Sequence, residues 1–210
     1  MEILNQVSSR QGDKTERSNR QVAEQCILNP ALLHDVAKGF CDKDKKLQSD
    51  CIEVFTMVSE NHPYLIVPFA DKVVPLLASK ETKIRWEAAH TLAFIADTVP
   101  ELIFTILPEL QELIEKDRST IVRDYTLDTI ANYAKANKDA SVEAFGILKT
   151  ALVLWDEKHA KQVFKGFQNI LDSQPSYNTE IERIVKPYFD SKKGVVVKEA
   201  KKIMRRIEKK

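Results

Sequence analysis

Glycine is scarce in this chain: there are five in 210 residues, standing alone at Gly12, Gly39, Gly146, Gly166 and Gly194. Isolated glycines build neither a phosphate-cradling loop nor a dinucleotide fingerprint, and no Gly-x-Ser-x-Gly elbow occurs. Cysteine is scarcer still. Cys26, Cys41 and Cys51 are odd in number, and their spacing fits neither a disulfide framework nor a paired Cys-x-x-Cys metal site. They read as reduced thiols filling core space in a cytoplasmic protein. Long apolar runs are also missing: the stretch Leu102 to Leu107, itself broken by Thr105, is far short of the roughly 20 residues a membrane span needs. The first twenty residues lack an apolar segment behind a basic start, so nothing marks the chain for export. Among His34, His62, His90 and His159 no His-x-x-x-His pair occurs. Glu87 and His90 form one Glu-x-x-His, whereas a carboxylate-bridged metal site needs two with further glutamates, so neither metal nor cofactor is expected.

The formal net charge of +1 hides an asymmetry. The last 30 residues carry 11 Lys or Arg against 4 Asp or Glu, which is +7 and leaves about −6 for residues 1–180. A basic terminal helix can hold an anionic partner, or it can simply keep its outer face in water. The acidic body speaks against a phosphate-tracking groove, which calls for concentrated positive charge.

What is present is helical periodicity, with 43% hydrophobic and 30% charged residues. It repeats. Breaks at His62-Pro63, Val99-Pro100, Asn137-Lys138 and Gln174-Pro175 fall 37, 38 and 37 residues apart, and each interval holds two apolar-periodic segments. The second unit pairs Val67 to Leu77 with Ile84 to Val99, and the third pairs Leu102 to Ile114 with Ile121 to Ala136. Ile84, Ala88, Leu92 and Ile95 are matched by Val122, Thr126, Ile130 and Tyr133, one buried stripe per helix. The fourth unit pairs Phe145 to Trp155 with Ala160 to Leu171, the fifth Ile181 to Phe189 with Val195 to Ile207, and the first Ala31 to Phe40 with Leu47 to Val58. A helix over Asn19 to Leu28 covers the open end. Helix pairs of this size cannot bury both apolar faces alone, so neighbours must stack.

The stretch Ile84-Arg85-Trp86-Glu87-Ala88-Ala89-His90-Thr91-Leu92 resembles the second-helix signature of HEAT repeats. Val122-Arg123 repeats its opening, with Lys161 and Lys198 at the same phase, and Asp42, Asp117, Asp156 and Asp190 occupy the preceding turns, where Ser79 departs from the pattern. Pro68, Pro75, Pro108 and Pro187 fall in first helices, where such repeats bend. The resemblance implies an all-α fold, a right-handed α-α superhelix (solenoid) of about five HEAT-like helical hairpins. Residues 1–18 then form a polar N-terminal tail and 19–210 a single repeat domain, with repeats at about 30–63, 64–100, 101–139, 140–175 and 176–210.

The resemblance also implies that Arg85, Arg123 and Lys161 pair with turn aspartates such as Asp117 and Asp156 in a structural ladder. The competing reading is a ligand-facing basic stripe. If Ile84, Ala88, Leu92 and Ile95 face the core, then Trp86, His90 and Phe94 lie off that stripe and point to the concave side, followed 38 residues later by Asp124, Asp128 and Asn132. Trp86 is the leading contact residue, since aromatic anchors carry much interface energy; the alternative is packing between second helices. The expected function is a noncatalytic scaffold or adaptor whose concave face holds a protein or peptide. The alternative is a nucleic-acid-acting protein similar to the alkylpurine DNA glycosylases built from HEAT-like repeats, for which Trp86, Arg123, Asp124 and Asp128 supply suitable residue types without a motif match.

Overall fold

The computed structural model describes residues 2–209, and every regular element among them is helical. The chain divides into two compact units, residues 1–95 and 96–210, where the sequence reading expects one repeat domain. The division falls at the end of the second helix of the second repeat.

The first unit contains α1 (Arg17–Leu28), α2 (Leu32–Lys38), α3 (Lys45–Ser59) and α4 (Thr82–Ile95). Helix α3 lies between α1 and α4, which explains why its apolar residues are not confined to one stripe: Leu47, Cys51, Ile52, Val54, Phe55 and Val58 are all buried. Phe55 meets Phe40 and Phe69 edge-on, with ring centroids 4.8 and 5.3 Å away. The first helix expected over Val67 to Leu77 is instead three short pieces, a 3-10 turn Val67–Phe69, an α turn Ala70–Val73 and a 3-10 segment Val74–Ala78. Pro68 and Pro75 have no N–H to donate and crowd the preceding turn, so the chain tightens at each.

Residues 1–18 read as a polar tail, yet most of this segment is folded. Ile3–Gln6 forms a 3-10 turn and Ser8–Gln11 a helical turn that ends at Gly12, whose φ of 67° needs a residue without Cβ. Ile3 and Val7 are buried. The segment is held by polar bonds, which a search for apolar stripes passes over. Fully buried Asn19 accepts from the Ser8 amide at 2.8 Å and donates to Asp50 at 3.0 Å and Glu53 at 2.6 Å. Asp50 also accepts from the Ser9 amide at 2.8 Å. Asn19, Asp50 and Glu53 therefore all have partners, which makes the arrangement specific as well as tolerable.

The second unit contains α5 (Pro100–Thr105), α6 (Leu107–Lys116), α7 (Thr120–Tyr133), α8 (Lys138–Leu154), α9 (Ala160–Ser173), α10 (Asn178–Val185) and α11 (Gly194–Ile207). Pro108 divides α5 from α6, and Pro187 turns the end of the tenth helix into the 3-10 segment Lys186–Asp190. The second helices α7, α9 and α11 pack side by side, with α6 and α8 alongside. Helix α9 buries Val163, Phe164, Phe167, Ile170 and Leu171. At Gly166 the helices come so close that an added Cβ would lie 2.4 Å from Leu148 Cδ1 and 3.3 Å from Ala131 Cβ.

Candidate protein-binding face

The turns before the second helices share one local device. Asp42 Oδ1 accepts from the Asp44 amide at 2.7 Å, Ser79 Oγ from the Glu81 amide at 3.2 Å, Asp117 Oδ1 from the Ser119 amide at 2.8 Å and Ser191 Oγ from the Lys193 amide at 3.1 Å. Each is a side chain bonding the backbone two residues on, which closes the turn before the helix begins. Ser79, the apparent departure, does the work of the aspartates, and in the fifth repeat Ser191 does it in place of Asp190.

The arginines at the start of the second helices complete these turns. Arg85 Nη1 donates to the Ser79 carbonyl at 2.8 Å, and Arg123 Nη1 donates to the Asp117 carbonyl. In each case the residue three back is also bonded, Thr82 at 3.5 Å and Thr120 at 3.3 Å. The guanidinium fork thus spans several oxygens of its own turn. Lys161 and Asp156 do not join such a ladder: both are exposed, and neither side chain has a hydrogen bond or ion pair among the described residues. The fourth turn is built differently, with Asp156 and Glu157 at φ 46° and 62°. The turn is fastened to the next repeat instead, because Lys193 donates to the Asp156 carbonyl at 2.8 Å and Ser191 to Glu157 at 2.6 Å.

Arg123 is only 2% exposed, which removes it from any ligand-facing stripe. Its guanidinium stacks 3.9 Å from the centroid of Trp155 and its Nε donates to His159 Nε2 at 3.0 Å. Because arginine Nε always carries hydrogen, His159 Nε2 must accept, so Nδ1 carries the proton and donates to Asp124 at 2.6 Å. Trp155 Nε1 donates to the Ile114 carbonyl at 2.8 Å. His159, Trp155 and Lys165 are the residues that reading along single helices misses. They lie more than 30 residues from their partners, and the signal available was the repeat length itself, which places residues 35 to 38 apart on neighbouring helices.

The predicted contact residues fall into two sets. On α4, Trp86, His90 and Phe94 recur every four residues and are half-buried, off the core stripe of Ile84, Ala88 and Leu92. The His90 and Phe94 rings lie 4.8 Å apart, and Trp86 Nε1 donates to Glu87 Oε1 at 2.7 Å. Burial pushes the Glu87 carboxyl above its usual range. On α7, Asp124 and Asp128 are committed within the fold: Asp124 to His159, and Asp128 to Lys165 of α9 at 2.8 Å. Asn132 is half-buried one turn further along. Both carboxylates expected at the contact face are therefore engaged by the neighbouring repeat. No group of three or more His, Cys, Asp or Glu that could hold a metal occurs among the described residues.

No protein-family profile and no curated protein matches the sequence. Solved structures do match. A designed armadillo repeat protein is 17% identical with a TM-score of 0.73, covering 98% of each chain. An engineered protein is 18% identical with a TM-score of 0.73, covering 99% of this chain and 95% of that one. A designed armadillo repeat protein in complex with the peptide (KR)4 is 17% identical with a TM-score of 0.72, covering 98% of both. The chain has a HEAT/armadillo-like helical repeat fold along its whole length. At these identities the likeness is one of fold.

Proposed function

We propose that the protein is a noncatalytic scaffold or adaptor that binds a protein or peptide on its second-helix face, with Trp86 as the principal anchor. The observation that carries this reading is the aromatic stripe Trp86, His90 and Phe94, which the core leaves half-exposed. Large rings held on a rigid helix supply contact area at little entropic cost, and one indole of this kind can contribute 2 kcal/mol or more, on the order of a hot spot. The engineered repeat protein solved with a bound peptide supports a ligand of the same general class. A glycosylase-like cleft finds no support: Arg123, the basic residue such a cleft would use, is buried and bonded to His159, and Asp124 and Asp128 are committed to His159 and Lys165.

The test is an affinity capture from cell extract with wild-type protein and with Trp86→Ala/Phe94→Ala, each with and without nuclease. A protein retained by wild type, lost from the variant and indifferent to nuclease supports the scaffold. Retention of nucleic acid that nuclease abolishes rejects it. A thermal melt of the variant shows that any loss does not come from unfolding.

A further inference from the structure

A second surface lies on the other layer of the second unit. Between α6 and α8 runs a groove of about 580 Å³, lined by Phe104, Leu107, Val142, Gly146 and Ile147 and continuing along Ala151 to Leu154. Phe104 is 56% exposed, Val142 46% and Leu154 46%, in a chain whose other large apolar side chains are mostly buried. Val142, Gly146 and Thr150 stand one turn apart, so one wall of the groove is a low ridge.

Gly146 is the telling residue. It sits in the interior of a 17-residue helix, where glycine is the most disfavoured residue after proline. Nothing in this chain explains it, since a Cβ at Gly146 would meet no atom within 4 Å, whereas a Cβ at Gly166 would strike Leu148. A glycine on an exposed helix face lets another backbone come close. The charges that line the groove are of one sign. Its lining includes Glu115 and Glu143 and no cation. Glu115 and Glu143 are exposed and in no ion pair among the described residues. Lys116 pairs with Glu112 at 3.1 Å and Lys149 with Glu180 at 3.2 Å, and Lys138 stands exposed one turn before Val142, outside the lining.

We propose that this groove docks a basic amphipathic helix of a partner protein, its aliphatic stripe set against Phe104 and Val142, its backbone close over Gly146, and its lysines or arginines facing Glu115 and Glu143. Exposed apolar side chains beside carboxylates that have no ion pair are what a helix-in-groove contact uses. This site is separate from the second-helix face and stands whether or not that face binds anything.

The probe is a fluorescein-labelled 14-residue peptide with leucines at i, i+3, i+4 and i+7 spacing and lysines elsewhere, titrated into the full-length protein and followed by anisotropy. A scrambled peptide of the same composition is the control for charge alone. Gly146→Leu is the diagnostic variant, because it should raise the melting temperature through helix propensity while filling the groove. The expected result is binding of the amphipathic peptide at least tenfold tighter than the scrambled one, a tenfold or greater loss in Gly146→Leu, a comparable loss in Glu115→Lys/Glu143→Lys, and no change in Trp86→Ala. Equal binding of both peptides, or undiminished binding by Gly146→Leu, overturns the proposal. So does concentration-dependent self-association that Gly146→Leu abolishes, which would give the groove to a second copy of this chain.

Discussion

The guanidinium of Arg123 lies over the ring of Trp155, its Cζ 3.9 Å from the centroid, and together they close the turn between α8 and α9 onto α7. The arginine sits against the indole, and its nitrogens are spent on the Asp117 carbonyl, Thr120 and His159. A cation this deeply buried is tolerable because each of its three nitrogens has an oxygen or ring nitrogen to meet it.

Removing it should therefore be costly. Arg123→Ala leaves His159 Nε2 and the Asp117 carbonyl unpaired and a void beside Trp155, for an expected loss of about 3 kcal/mol. Arg123→Lys should rescue little, since a single ammonium can neither span the turn nor stack. Urea unfolding in a Trp86→Phe background, where Trp155 is the only tryptophan, reads this transition directly.

Gly166 gives a prediction opposite in sign to Gly146. Alanine is the better helix former, yet Gly166→Ala should destabilise by roughly 1–3 kcal/mol, because Leu148 and Ala131 are both fully buried and have nowhere to move. Gly146→Ala should stabilise by about 1 kcal/mol. The two melting temperatures, shifted in opposite directions, check the packing.

Stability should depend on pH through Glu87. Burial holds its carboxyl above the usual range, opposed by its hydrogen bonds and by Lys83 and reinforced by Glu53. The folded state therefore releases this proton less readily than the unfolded chain. Stability from this group is complete below the unfolded value and is lost as pH rises through the folded one. Glu87→Gln, which keeps an oxygen for Trp86 Nε1, should match wild type near pH ~4 and melt higher by a few degrees, roughly, at pH ~7. Melting curves across that range decide it.

The cysteines should separate by reactivity. Burial pushes the Cys26 and Cys51 thiols up to about 12, while Cys41 is exposed. A thiol reagent at pH ~8 should label Cys41 alone in the native protein and all three in denaturant, because the thiolate is the reacting form. Rapid labelling of more than one thiol would contradict the packing of α1 against α3.

The second helices were the most legible part of the sequence. Ile84 to Leu92 and Val122 to Ile130 announce themselves by period, and the helices found, Thr82–Ile95 and Thr120–Tyr133, begin close to where that period starts. First helices were less so, because Pro68 and Pro75 divide theirs into pieces too short to carry a period. The N-terminal segment was hidden for a different reason: Asn19, Asp50 and Glu53 hold it by hydrogen bonds, and their value depends on geometry that composition does not express. Asp124 and Asp128 looked free because their partners, His159 and Lys165, come from the following repeat. Trp86, His90 and Phe94 remain the part of the predicted site that the fold leaves half-open.

The most direct measurement is site-specific photocrosslinking, with benzoylphenylalanine in place of Trp86 in the full-length protein, irradiated in nuclease-treated extract and resolved by mass spectrometry. The account predicts a discrete protein adduct that excess unlabelled wild-type protein competes away. Adducts that are absent, or unaffected by that competition, would contradict a binding face at Trp86.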